Sequence, residues 1–241
     1  MHAIWVITKK ELSGFFDSLI AYILLVVFLG LSGFFTWLYG SDVFLIGQAS
    51  LNSFFGIAYW TLFFFIPALT MGMIAEENKT GTIEILITKA VSDWQIVVGK
   101  YLACLLLVVI ALLCTLPYYF TIAKLGPIDH GSVWGGYLGM VFMSSAYIAV
   151  GLFASSITNN QIVSFLLALF IGLFFQILFS VLAGNFTGTI GAILSYLSLG
   201  DHFESLSRGV IDSKDIIYFI SITGTGLILS QVLLSKRNWV D

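Results

Sequence analysis

Long apolar runs separated by short polar breaks govern this chain. A bilayer crossing takes about 20 apolar residues in helical conformation. The pattern therefore predicts six spans, at about 19–40, 55–75, 95–123, 134–157, 162–184 and 215–234. The predicted fold class is all-α, a polytopic membrane protein with one transmembrane domain over 1–241. Pro67 and Pro117 fall inside the second and third spans and predict kinks there, because proline removes one helical hydrogen bond. Ser92-Asp93-Trp94-Gln95 has the form of a capping box that opens the third span. Lys100 follows in that span's first turns, from where a lysine can snorkel to the interface. Thr158-Asn159-Asn160-Gln161 predicts a tight turn between the fourth and fifth spans, and Asp212 is placed to cap the sixth.

Three stretches depart from the spanning pattern. In residues 1–18, Ile4, Ile7, Leu12, Phe15, Phe16 and Leu19 cluster on one side, with Lys9, Lys10 and Asp17 away from it. This predicts an amphipathic interface helix anchored by Trp5. The stretch 76–89 begins with Glu76-Glu77 and continues as Gly81-Thr82-Ile83-Glu84-Ile85-Leu86-Ile87. Ile83, Leu86, Ile87 and Ala90 fall on one helical face. Gly81 or Thr82 can cap that helix, and Glu84 then suits its positive end. Two readings stand: a solvated loop, or a docking helix that offers its face to a soluble partner. The third stretch, about 186–212, contains an apolar piece, Ile190–Leu199, too short to cross. It predicts a re-entrant or interfacial hairpin before the last span. Asp201, His202, Glu204 and Arg208 follow as its polar face.

Composition narrows the class. The chain has 241 residues, of which 59% are hydrophobic and only 10% charged, and its mean hydropathy is +1.02. Soluble domains carry about 25% charged residues, so this chain needs lipid as its solvent. The net charge of −3 is spread along the sequence and implies no nucleic-acid partner. Cys104 and Cys114 do not share a helical face, so neither a disulfide nor a metal site is expected. No cleavable leader is expected in residues 1–18, which hold Lys9, Lys10, Glu11 and Asp17. There is no phosphate-binding loop of the G-x-x-x-x-G-K-(S/T) type, so ATP hydrolysis on this chain is not expected. With no Asp, Glu, Lys, Arg or His expected in a span core, neither is a proton or sodium site. Lys and Arg fix the orientation: seven lie on the side of the N-terminal segment, the 76–100 loop and the C-terminus, against three on the other. The positive-inside rule places both termini and the 76–89 helix in the cytoplasm.

Glu76-Glu77 followed by Gly81-Thr82-Ile83-Glu84 and Leu86 resembles the E-E…G-T-(L/I)-E-x-L signature of type-2 ATP-binding-cassette exporter permeases. The resemblance extends to Lys9-Lys10-Glu11-Leu12 with Phe15-Phe16, and to the hairpin before the last span. It implies that residues 76–89 form a coupling helix. Glu76 and Glu77 would then fix the end of the second span, Gly81 would permit a sharp turn, and Ile83, Leu86 and Ile87 would fill a groove of an ATPase subunit. Pro67 and Pro117 become hinge candidates, and Asp201, His202, Glu204 and Arg208 partner-facing residues. The chain itself would bind no cofactor, with ATP and Mg²⁺ held by the partner ATPase, and its place would be the bacterial cytoplasmic (inner) membrane. Asp201–Ser205, Arg208–Asp212, Tyr218 and Arg237-Asn238-Trp239 resemble in particular the permeases of gliding-motility complexes. That branch implies a second permease or companion membrane subunit with a large extracytoplasmic domain. Three function classes remain open: an ATP-driven export permease, a mechanotransmission subunit that moves a partner without cargo, and a non-transport membrane scaffold.

Overall fold

The computed structural model describes residues 2–39, 47–81 and 91–236, all helix and connecting turns, with no strand among them. Helix α1 (His2–Asp17) ends in a turn at Leu19, whose φ of 62° lies in the left-handed region and breaks the chain direction before α2 (Ile20–Trp37). Then come α3 (Asn52–Thr70), the short α4 (Ala75–Thr80), α5 (Asp93–Leu113) and α6 (Leu116–Leu125). Helix α7 (His130–Ile157) is the longest described. It is followed by α8 (Gln161–Leu173), a π-helical turn at Phe174–Leu178 and α9 (Phe179–Asn185). Two short helices, α10 (Thr189–Leu197) and α11 (Leu199–Ser207), precede α12 (Ser213–Lys236).

Six stretches are long and apolar enough to cross a membrane: 20–37, 52–80, 93–125, 130–157, 161–185 and 213–236. These match the six spans expected from the sequence, with shifted edges. The second continues past residue 75 through a break at 71–74, and the third is divided at Cys114-Thr115. Pro67 sits inside α3, yet the helix continues to Thr70 and breaks beyond it. Pro117 opens α6, where a missing N–H costs nothing because the first turn has no partner for it. The Ser92 capping box is present, with Ser92 Oγ accepting from Gln95 N–H and Gln95 Oε1 from Ser92 N–H. Asn160 Oδ1 accepts from Ile162 N–H and starts α8 after the 158–161 turn. Asp212 Oδ1 accepts from Lys214 N–H at the start of α12. That hydrogen bond, with the Lys214 ammonium 3.2 Å away, holds the Asp212 carboxyl below the usual carboxylate range.

Helix α7 is the axis of the bundle. Helices α3, α5, α8, α11 and α12 all pack on it. Its buried residues include Gly135, Gly136, Gly139, Ser144, Ala146, Ala149, Gly151, Ala154 and Ser155 beside larger side chains such as Tyr137, Met140 and Ile148. Lipid tails are as apolar as leucine, so helices in a membrane gain from close backbone approach and from hydrogen bonds rather than from hydrophobicity alone. Small residues permit that approach. The outer spans differ: 72% of the apolar window of α7 is buried, against 28% in α2 and 22% in the span from α8 to α9. Buried hydroxyls such as Thr36, Thr70 and Ser230 return hydrogen bonds to carbonyls four residues back in their own helices.

One close approach through a small residue joins α12 to α7. A Cβ placed on Gly226 would lie 2.9 Å from the Ala149 Cβ and carbonyl carbon. The obstacle is backbone and cannot rotate away. Gly226→Val is expected to separate the last span from α7, at about 1–3 kcal/mol of overpacking. A lowered apparent melting temperature of the detergent-purified protein checks this; an unchanged one contradicts the close α7–α12 packing.

Candidate functional site

At one end of the bundle, α1, α4 and the start of α5 are tied together by charge. The Lys100 side chain is only 1% exposed. Its ammonium lies 2.7 Å from Glu77 Oε1 on α4 and 3.3 Å from Glu11 Oε1 on α1. Snorkelling, the expectation for this lysine, does not occur, because α1 lies across the start of α5 and covers it. A buried ammonium without partners would be prohibitively costly, so the two carboxylates are a condition for the helices to pack this way. Beside this hub, the Thr8 hydroxyl lies 3.1 Å from Gly99 O and holds α1 against α5.

The break at 71–74 is closed by one hydroxyl. Ser155 Oγ on α7 accepts hydrogen bonds from Ile74 N–H (3.1 Å) and Ala75 N–H (3.0 Å) and donates to Met71 O (3.0 Å). One serine thereby satisfies three backbone groups that the broken helix leaves open, as a membrane interior requires. Helix α4 then runs only to Thr80. Gly81, at φ 69°, ends it in the left-handed conformation that glycine adopts without a side-chain clash. Gly81 therefore closes one helix, where the sequence had suggested it as the start of another. Glu76 lies exposed on α4 and Glu77 points into the hub. Thr82, Ile83, Glu84, Leu86 and Ile87 lie outside the described residues, as does the closing Arg237-Asn238-Trp239. A groove of about 760 Å³ opens beside this end, lined by Glu76, Lys79, Thr80 and residues 158–162.

The opposite end carries the α10–α11 hairpin. Asp201 accepts from Ser195 Oγ (2.7 Å) and Ser180 Oγ (3.3 Å), which ties the hairpin to the fifth span. Glu204 and Arg208 are exposed. His202, expected to face a partner, instead points inward and is buried. Its Nδ1 lies 2.6 Å from Asp215 Oδ1, its Nε2 lies 2.9 Å from Tyr196 O, and its ring stacks on Tyr218 with centroids 4.0 Å apart. The turn of α11 that exposes Glu204 and Arg208 puts His202, Phe203 and Leu206 on the opposite face, against the bundle. Tyr147 of α7 donates to Gln176 of the fifth span, the centre of the π-helical turn.

Several of these residues escaped the reading of the sequence. Ser155 is one hydroxyl in an apolar helix and carries no local signal. Asp215, in the first turn of α12, is fully buried. Lys100 did give a signal, as the one cation in its span. Lys100 and Asp215, near the ends of their spans, and His202, in the hairpin before the last span, are all buried.

Six crossings around a small-residue axis, with a charged hub at one end and a broken second span, define a polytopic helical membrane subunit. The family model described as ABC-2 family transporter protein matches residues 38–232, and the chain belongs to that family. It is thus a permease subunit of an ATP-binding-cassette transporter, a family that works with a cytoplasmic ATPase. No match was found among curated proteins.

Removing one member of the hub leaves uncompensated charge. Lys100→Met is expected to cost about 3–5 kcal/mol, to lower the apparent melting temperature and to raise hydrogen exchange across 2–17. Unchanged exchange in that segment would show that the hub does not hold α1. Ser155→Ala leaves two N–H groups without their partner, at about 1–3 kcal/mol for an unsatisfied group. Faster exchange at Ile74 and Ala75, with the centre of α7 unaffected, is the expected signature; equal rates in both proteins would remove the staple from the account.

Proposed function

We propose that this chain couples ATP binding and hydrolysis on a separate ATPase subunit to movement across the bilayer, with the end of the bundle that carries Lys100 facing the cytoplasm. The observation that carries the reading is the buried Glu11–Lys100–Glu77 hub. It joins the surface helix, the end of the second span and the start of the third immediately beside the stretch 82–90. A force applied to that stretch reaches three elements at once. The ATPase holds ATP and Mg²⁺, and Ile83, Leu86 and Ile87 enter its groove, as the signature at 76–86 implies. Gly81 sets the turn between α4 and this docking segment. The excess of Lys and Arg on this side supports a cytoplasmic location for it and for both termini, in the bacterial inner membrane. The breaks near Pro67 and Pro117 are the hinges about which the second and third spans tilt.

Within the family, the sequence pattern at 201–212 supports membership of the gliding-motility branch. A companion membrane subunit with a large extracytoplasmic domain would then meet the hairpin through Glu204 and Arg208, which are exposed there. In that branch the same motion can move the companion without cargo.

Leu86→Asp puts a carboxylate on the apolar docking face. The variant is expected to insert in the membrane and to keep its melting temperature, but to lose at least about tenfold in the ATPase recovered by mild-detergent pull-down, a loss of about 1.4 kcal/mol of binding. Full recovery of the ATPase with full ATP-linked activity would refute the docking role. Mass spectrometry of the same pull-down separates the branches: a second membrane subunit supports the gliding reading, whereas an ATPase with this chain alone points to a homodimeric permease.

A further inference from the structure

We propose that the π-helical turn at Phe174–Leu178 is a joint in the fifth span, through which a movement at one end of that span reaches the hairpin at the other. Ser164, Ala168 and Gly172 are the buried residues of α8, Gln176 is buried in the π-turn, and Ser180 of α9 donates to Asp201 of the hairpin. Each lies four residues beyond the last. In a regular α-helix four residues overshoot one turn by about 40°, so Ser180 would stand about 80° round from Gly172. The π-turn closes a larger ring, with Phe179 N–H bonded to Phe174 O five residues back. It winds less per residue and takes up that drift. All three residues therefore meet partners. Gly172 lies against the rings of Phe63 and Tyr147, Gln176 accepts from Tyr147, and Ser180 reaches Asp201 at 3.3 Å.

The surroundings of the turn leave it free to change. π-helices occur mostly as single turns inside α-helices, frequently at functional sites, and an α-helical winding is open to the same residues. Gln176 is the one polar side chain between Ser164 and Ser180, and its bond from Tyr147 ties the turn to α7. Beyond the turn, α9 buries none of its residues, and α10 packs on it. Helix α11, by contrast, is fixed on α7, where Ser132 Oγ donates to Ser207 O at 2.6 Å. Asp201 of α11 holds the two parts together through Ser180 and Ser195. Conversion of the π-turn to α-helix swings α9 about its axis, takes Ser180 off Asp201 and carries α10 away from α11.

The same span also reaches the charged end of the bundle. Gln161, the first residue of α8, and Glu76 of α4 converge over Gly72. A Cβ placed on Gly72 would lie 3.5 Å from Gln161 Nε2 and 3.5 Å from Glu76 Oε2. Only 22% of the apolar window of this span is buried, so little packing opposes its rotation. A displacement of α4 therefore passes to α8 and is taken up at the π-turn, where a second winding exists. The source of that displacement rests on the coupling reading above; the joint itself does not.

Hydrogen exchange of the full chain in lipid nanodiscs, without ATPase, tests the joint. Deletion of Phe174, an exposed residue, removes the extra residue of the turn. Gly172 and Ser180 are then about seven residues apart, which two α-turns match to within about 20°. The hairpin contacts are kept and the joint is lost. Protection of 175–185 and 189–197, in wild-type numbers, is expected to rise at least about fivefold, the scale of one net hydrogen bond, with the middle of α7 unchanged. Deletion of Leu166, also exposed but in the regular α8, turns the two halves of the span by about 100° against each other. It is expected to lower protection in the same segments. Gln176→Leu keeps the chain length and removes the tie to Tyr147; protection of 175–185 is expected to fall at least about fivefold, with 164–172 unchanged. The proposal is overturned if deletion of Phe174 prevents folding, leaves protection at the wild-type level or lowers it as deletion of Leu166 does. It is equally overturned if Gln176→Leu changes 164–172 as much as 175–185. Because no ATPase is present, none of these results bears on the coupling reading.

Discussion

The Lys100 ammonium, closed off from solvent between two carboxylates, is the constraint on which this end of the molecule depends. A charge at that depth excludes any arrangement in which α1 floats free or α4 points elsewhere, because either would leave the ammonium or a carboxylate unpaired. The pairing is not a source of great stability in itself, since desolvating three charged groups offsets most of the Coulomb gain. Its value is geometric. It ties a surface helix, a broken span and the next span into one unit at the end of the bundle.

The same rule of internal satisfaction explains the rest of the frame. A broken helix in lipid needs donors and acceptors from its neighbours. Ser155 supplies both to the break at 71–74. The hairpin at the far end is held the same way, by Asp201 to serines of two elements and by His202 and Tyr218 to the end of α10. Between these polar ties, α7 offers a face of Gly, Ala and Ser on which the other helices close. Packing supplies proximity, and the few polar ties select which proximity is kept.

A membrane subunit of an ATP-driven transporter has to be stiff within its elements and jointed between them. The breaks at 71–74 and 114–115 divide two spans near opposite ends of the bundle, while α7 between them is continuous. Each joint is held by a few side-chain hydrogen bonds: Ser155 at the first, and Thr115 with Tyr137 at the second. Bonds of this kind contribute about 1 kcal/mol each net, a scale that a bound partner can override.

The sequence by itself determined the class, the six candidate membrane-spanning helices and several of the local signals at their starts. Those features rest on local properties: runs of apolar residues, a capping box at Ser92, an Asx cap at Asn160, and the left-handed turn that Gly81 allows. It also singled out the stretch beginning at Glu76. Only the tertiary structure decided which polar residues meet. Glu11 and Glu77 are distant from Lys100 in the chain, Ser155 is far from Ile74, and His202 and Asp215 lie on different helices. Such pairs leave no periodic trace, because a hydrogen bond between helices depends on how the helices are rotated against each other. That rotation is set by the small-residue face of α7 and its fit to every neighbour at once. Lys100 and His202 therefore read as surface residues from their surroundings in the chain, and the fold turned both inward.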